Sequence, residues 1–169
     1  MKRFLLLLLP IALAVEAAPP TNPQIDYQAF VRDVRTVGVL REERRVSEAE
    51  FIRMAAQPGT VVLDARSDRL YRLRHIQGAV NLSFPEFTEA TLAAAIPSRA
   101  ARVLIYCNNN FKDLPESMPL KRIGAALNNS TFVALHTYGY QNVYELAPVV
   151  DPANTRLRFA GSEAPASGT

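Results

Sequence analysis

The chain has 169 residues, a single cysteine, 49% hydrophobic and 21% charged residues, and a formal net charge of +3. That length suits one domain around one core. So small a basic excess, with no long basic run, excludes an electrostatic nucleic-acid footprint, and one cysteine excludes an internal disulfide.

At the N-terminus, Lys2-Arg3 precede an apolar run from Phe4 to Val15, and Val15-Glu16-Ala17 offers tolerated residues at a cleavage site. This reads as a secretory signal peptide over residues 1–17, cut after Ala17 or Ala18. The apolar run is short of the ~20 residues a spanning helix needs, so an uncleaved anchor is the second reading. The expected destination is the periplasm or the medium, with no membrane contact after cleavage. Residues 18–43 form a linker, Pro-rich over Pro19–Pro23, and an N-terminal helical extension. Ile25, Ala29, Phe30, Val31, Val34 and Val37 make an amphipathic stripe with Asp26 as cap, ending before Gly38. The Arg41–Arg45 cluster (REERR) reads as a solvated face.

The main domain spans residues 44–150. Ser47 with Glu50 three residues on is a capping box, opening a helix that buries Phe51, Ile52 and Ala55 and stops at Pro58-Gly59. Thr60–Leu63 is a buried strand ending at Asp64-Ala65-Arg66-Ser67. Ser67–Arg74 is a loop with a short helical turn, and Val80–Leu82 is a third strand element. Phe84–Ala95 is helical in pattern, with Phe87, Leu92 and Ile96 inward and Pro97 as its stop. Val103–Tyr106 is a continuous apolar run between turn signals, a strand buried on both faces. Phe111–Pro119 is irregular. Ser130 is a candidate cap for a helix over Thr131–Tyr138, with Gly139 as its left-handed terminator. Val143–Leu146 is the last strand. Residues 151–169 form a C-terminal tail, disordered over Ser162–Thr169 by composition. Strand and helix alternate throughout, which argues an α/β fold: a mostly parallel central sheet with helices on both faces.

Cys107 ends the Val103–Tyr106 strand. A thiol at the carboxyl end of a buried strand, opening onto a polar loop, lies where open α/β sheets place their ligands. Three readings are open for it: a catalytic thiol, an inert buried cysteine, or a redox-sensing thiol. Cys107, His75 and His136 lack the paired spacing of a metal site, and no metal is expected.

Four segments resemble, in order, those of rhodanese-like domains. They are Val61–Ser67 with its Asp-x-Arg turn, His75–Asn81 with His-Ile-x-Gly-Ala, Val103–Cys107, and Gly139–Leu146. The resemblance covers roughly residues 44–147. It implies a rhodanese-like three-layer sandwich and a sulfurtransferase in which Cys107 carries sulfane sulfur as a persulfide, without metal or organic cofactor. It implies that Asn108, Asn109, Asn110, Phe111 and Lys112 form a cradle for a small sulfur-containing anion, with a thiol or other nucleophile as acceptor. Asp64, Arg66 and His75 are then supporting residues; a purely structural polar network at the loop junctions is the alternative. The loop departs from the family in running into Phe111-Lys112-Asp113-Leu114-Pro115, and Cys107 to Gly139 is longer than the family pattern. A catalytically silent binding module, using residues 111–129 to hold a protein partner or ligand, is therefore the second functional reading.

Overall fold

The computed structural model describes residues 22–112 and 114–164. Residues 1–21, which include the expected signal peptide over 1–17, Asp113 and residues 165–169 lie outside the described residues.

Helix α1 (Tyr27–Arg44) is capped by Asp26, whose side chain accepts from Ala29 N–H. Strand β1 (Arg45–Val46) follows it. Helix α2 (Glu48–Ala55) is capped by Ser47. Strand β2 (Thr60–Asp64) leads through the Ser67-capped helix α3 (Asp68–Leu73) to β3 (His75–Ile76) and β4 (Val80–Asn81). A 3-10 turn at Phe84–Glu86 precedes helix α4 (Glu89–Ala95), and β5 spans Arg102–Tyr106. After Cys107 come 3-10 turns at Asn108–Asn110 and Ile123–Ala125, then helix α5 (Leu127–Thr137), β6 (Val143–Leu146) and β7 (Phe159–Ala160).

Five strands form one parallel sheet in the order β1-β6-β5-β2-β4, and β3 pairs antiparallel with β7 in a separate ribbon. Successive side chains of a strand point to opposite faces, and each central strand therefore feeds two cores. Leu63, Val103, Ile105 and Val143 pack with Leu92, Phe132 and Leu135 on one face. Val62, Leu104, Tyr106 and Leu146 pack with Phe51, Met54 and Met118 on the other. This is the three-layer arrangement expected from the alternation of elements.

Local features differ from the sequence reading for identifiable reasons. Helix α1 does not stop before Gly38. Glycine weakens a helix by about 1 kcal/mol without ending it, and here Arg41, one turn later, donates to the buried Glu145 carboxylate at 2.6 and 3.2 Å. Arg45 Nε adds a contact at 3.5 Å to the same group. The REERR segment is thus no plain solvated face: it neutralises a carboxylate inside the sheet. Glu50 pairs with Arg53 rather than closing the capping box. The Phe84–Ala95 stretch is broken after its 3-10 turn because Thr88 caps α4. Ser130 lies inside α5, which starts three residues earlier with no side-chain cap.

Residues 151–164 are more than a bare tail. Thr155 Oγ1 and Arg156 N–H both donate to Glu48 Oε1 at 2.8 Å, and β7 then covers β3. Gly161 closes this ribbon with φ +115°, and a Cβ built there would fall 2.5 Å from the Leu73 carbonyl oxygen and 2.7 Å from that of Arg72. Both obstacles are backbone. Gly161→Ala should therefore destabilise the protein by about 2 kcal/mol, read as a lower urea midpoint at unchanged slope. A midpoint like that of the parent would show that the β3–β7 ribbon contributes nothing to the cooperative unit.

Candidate functional site

The chain leaves β2 through α3 toward β4 on one side, and returns to place β5 on the other side of β2. The carboxyl ends of β2 and β5 therefore flank the point where the strand order reverses, the place where open parallel sheets form a crevice. Asp64 and Tyr106 are register partners at this edge, and Cys107 is the next residue. Long apolar runs in both strands put these polar groups at the edge: once Val62-Leu63 and Val103–Ile105 are buried in the sheet, the residues that follow must stop there.

Cys107 is a free thiol, 2% exposed, at the N-terminal end of the Asn108–Asn110 turn. Its own N–H donates to Asn110 Oδ1 at 2.9 Å. The amides of Asn110 and Phe111 donate back into the loop, to the carbonyls of Cys107 and Asn108, and that of Lys112 donates to the Val150 carbonyl. The first amides of a 3-10 turn have no partner inside it, so the N–H groups of Asn108 and Asn109 are the donors the turn offers on the Cys107 side.

The side chains of this loop mostly hold structure. Asn110 is buried and works as a four-way clamp. Its Oδ1 accepts from Cys107 N–H and from Asn128 Nδ2 at 3.2 Å, and its Nδ2 donates to the carbonyls of Leu146 and Pro148. Asn109 bridges Lys121 in both directions, at 2.8 and 3.2 Å. Asn108 is buried, and its Oδ1 has no hydrogen-bond partner among the described residues. Phe111 is 1% exposed, edge-on to Tyr106 and Phe159. Lys112 pairs with Asp151 at 3.1 Å, half-exposed. The 111–126 excursion thus leaves the loop at Asn110 and returns to it at Asn128.

Of the three supporting residues, the structure brings two together. Asp64 and Arg66 are 0% and 2% exposed. Arg66 N–H and Nε–H donate to Asp64 Oδ1 at 3.0 and 2.9 Å, and Tyr106 O–H donates to Asp64 Oδ2. The far side of the guanidinium donates to the Ser117 and Arg74 carbonyls and touches Met118 Sδ. Burial pulls the Arg66 pKa down, but hydrogen bonds to Asp64 and its charge, then Tyr106, outweigh it, and the group sits above its ordinary value. His75 stands apart from this pair: it stacks on Tyr71 with ring centroids 3.7 Å apart, and its Nδ1 lies 2.7 Å from the Tyr71 carbonyl oxygen. Among the described residues no hydrogen bond joins Asp64, Arg66 or His75 to Cys107. Tyr106, which the sequence offers as a residue lining the site or packing in the core, reaches the Asp64 carboxylate, whereas Asn128, Ser117 and Met118 belong to the site and escape sequence reading. Only Asn128-Asn129, a polar pair ahead of an apolar helix, left a signal.

Burial, and then the Asp64 charge, hold the Tyr106 phenol well above its ordinary value of 10.0. The unfolded chain ionises first as pH rises, so it binds fewer protons than the native state, and stability must fall above about pH 10. The expected slope from this one group is up to about 1.4 kcal/mol per pH unit. Urea midpoints measured from neutral to alkaline pH check it, and Tyr106→Phe should remove that share of the slope.

A family model described as a rhodanese-like domain matches residues 47–147. A search of curated proteins gave no match. Among solved structures, a rhodanese with anions from E. coli is 22% identical, with a TM-score of 0.41, covering 61% of this chain and 99% of its own. The BH2092 protein of Bacillus halodurans is 19% identical, with a TM-score of 0.49 and coverages of 85% and 89%. The rhodanese-like domain of the Anabaena sp. Alr3790 protein is 16% identical, with a TM-score of 0.49 and coverages of 75% and 87%.

Proposed function

This chain belongs to the rhodanese-like domain family, and from that premise we propose that it moves a sulfane sulfur through a persulfide on Cys107. The observation that carries the reading is the position of Cys107: the only thiol of the chain, at the carboxyl end of β5, beside the reversal of strand order. A thiolate there attacks the outer sulfur of a donor such as thiosulfate. The Cys107 S–S bond forms as the donor S–S bond breaks, and sulfite leaves with the bonding pair. A cyanide, thiol or partner-protein nucleophile then takes the outer sulfur and returns the thiolate. The N–H groups of Asn108 and Asn109, the donors left free by the turn, are available to hydrogen-bond an anionic donor. No step needs a metal or an organic cofactor. The same reading has residues 1–17 directing export to the periplasm or the medium.

One observation favours the second reading, a silent binding module: the thiol is 2% exposed beneath a loop tied down by Asn110. The two readings part on turnover. Formation of thiocyanate from thiosulfate and cyanide, proportional to protein and absent on heat denaturation, supports transfer. No turnover with thiosulfate or with an organic persulfide donor would leave the binding module standing.

A further inference from the structure

The segment that follows the cysteine turn builds a pocket of its own. Phe111, Leu114, Pro115, Met118, Pro119 and Leu120 enclose about 450 Å³. All six side chains are apolar. Among the described residues, Lys112, Glu116 and Lys121 stand beside them in the sequence without lining the space. Phe111 and Met118, each 1% exposed, are the floor; Leu114 and Pro119 are half-buried, and Pro115 and Leu120 are an exposed rim.

The floor is fixed from below. Phe111 lies edge-on to Tyr106 and Phe159, and Arg66 donates to the Ser117 carbonyl and touches Met118 Sδ. The Met118 amide closes a turn onto the Leu114 carbonyl at 2.7 Å. A pocket held by such contacts loses little freedom when a ligand enters.

Both ends of the pocket are joined to the turn that begins at Cys107. Phe111 ends that turn, its N–H donating to the Asn108 carbonyl. Leu120 precedes Lys121, whose N–H and carbonyl are both held by the Asn109 side chain. A 3-10 turn rises about 2 Å per residue, so the backbones of Cys107 and Phe111 lie within about 10 Å of each other. One small organic molecule spans that distance. Thiosulfate gains nothing from these walls: it is a hydrated dianion, and apolar surface offers it no hydrogen bond. An apolar cavity of this volume with a few polar groups at one end is the usual form of a site for an organic ligand.

We propose that the sulfur donor of this chain is organic: an aryl or alkyl body fills the pocket and presents a terminal sulfane sulfur, as in a thiosulfonate, to Cys107. This rests on the persulfide reading above and names its substrate class. The Cys107 thiolate attacks the outer sulfur of R–SO2–S−. The Cys107 S–S bond forms as the bond from that sulfur to the sulfonyl breaks, and the sulfinate R–SO2− leaves with the bonding pair. The pocket holds R and touches no reacting atom, so its contribution is to KM.

Thiocyanate formation by the full chain from methanethiosulfonate and from benzenethiosulfonate isolates R, once each rate is divided by that of the uncatalysed reaction with cyanide. The expected result is a kcat/KM about thirtyfold higher for the benzene donor, carried by KM. Leu114→Ser combined with Leu120→Ser should cut that ratio to about threefold or less. Leu120→Ser alone, at a position 71% exposed and so without bearing on the fold, should lower it by about twofold or more. Equal values for the two donors would overturn the proposal while leaving the persulfide on Cys107 standing, and would give the apolar walls to another occupant. A preference carried by kcat, or one unmoved in both variants, overturns it too. No transfer from either donor or from thiosulfate would overturn it together with the persulfide reading.

Discussion

Cys107→Ser should abolish thiocyanate formation, lowering it by roughly a thousandfold or more, because no other side chain of the protein can accept a sulfane sulfur at this position. The hydroxyl is nearly isosteric with the thiol but far less nucleophilic. The site is buried, so the serine hydroxyl costs about 1–2 kcal/mol where it lacks a partner. Circular dichroism should show the fold intact. Loss of turnover with an intact fold assigns the chemistry to Cys107 and not to the scaffold. Retained turnover would place the reaction elsewhere.

Arg66→Ala should be the most destabilising single change in the site, at about 3–5 kcal/mol. Asp64 is fully buried, and its carboxylate is satisfied by the Arg66 guanidinium, the Arg66 amide and the Tyr106 hydroxyl. Removing the guanidinium strands that charge and frees the Ser117 and Arg74 carbonyls it binds. Against the roughly 5–15 kcal/mol of an ordinary domain, this is a large share. The double variant Asp64→Leu with Arg66→Met should lose less than Arg66→Ala alone, since no unpaired charge is left behind. Urea unfolding followed by circular dichroism reads both. A loss under about 1 kcal/mol for Arg66→Ala would mean that the insertion is not held through this guanidinium.

Much of this arrangement is legible in the sequence, and what is not has a common cause. Thr60–Leu63, Val103–Tyr106 and Val143–Leu146 read as strands because burial on both faces leaves apolar runs, and the structure extends the first two by one residue each. The order of those runs, with the His75–Asn81 segment between them, gives the family. Strands β1, β3 and β7 are two residues each, and nothing in Arg45-Val46, His75-Ile76 or Phe159-Ala160 announces a pairing set by distant partners. Gly38 looks like a helix end because its local preference is weak; the Arg41–Glu145 contact that overrides it joins residues far apart in the chain. The asparagines after Cys107 are visible as polar loop residues suited to left-handed turns and amide donors. That Asn109 and Asn110 spend their side chains on Lys121, Leu146 and Asn128 is a matter of where the insertion folds back. The insertion carries no periodicity from which its course can be read, because it is held by single hydrogen bonds and by Met118 and Phe111 packing into the second core.

Intact-mass measurement of the protein before and after thiosulfate tests the assignment of Cys107 most directly. The expected result is a gain of one sulfur (~32 Da) on the parent chain, removed by cyanide and absent from Cys107→Ser, because the thiolate is the nucleophile that takes up the sulfur. An unchanged mass with thiosulfate and with an organic persulfide donor, together with a thiol that refuses small alkylating reagents in the folded protein, would overturn the assignment.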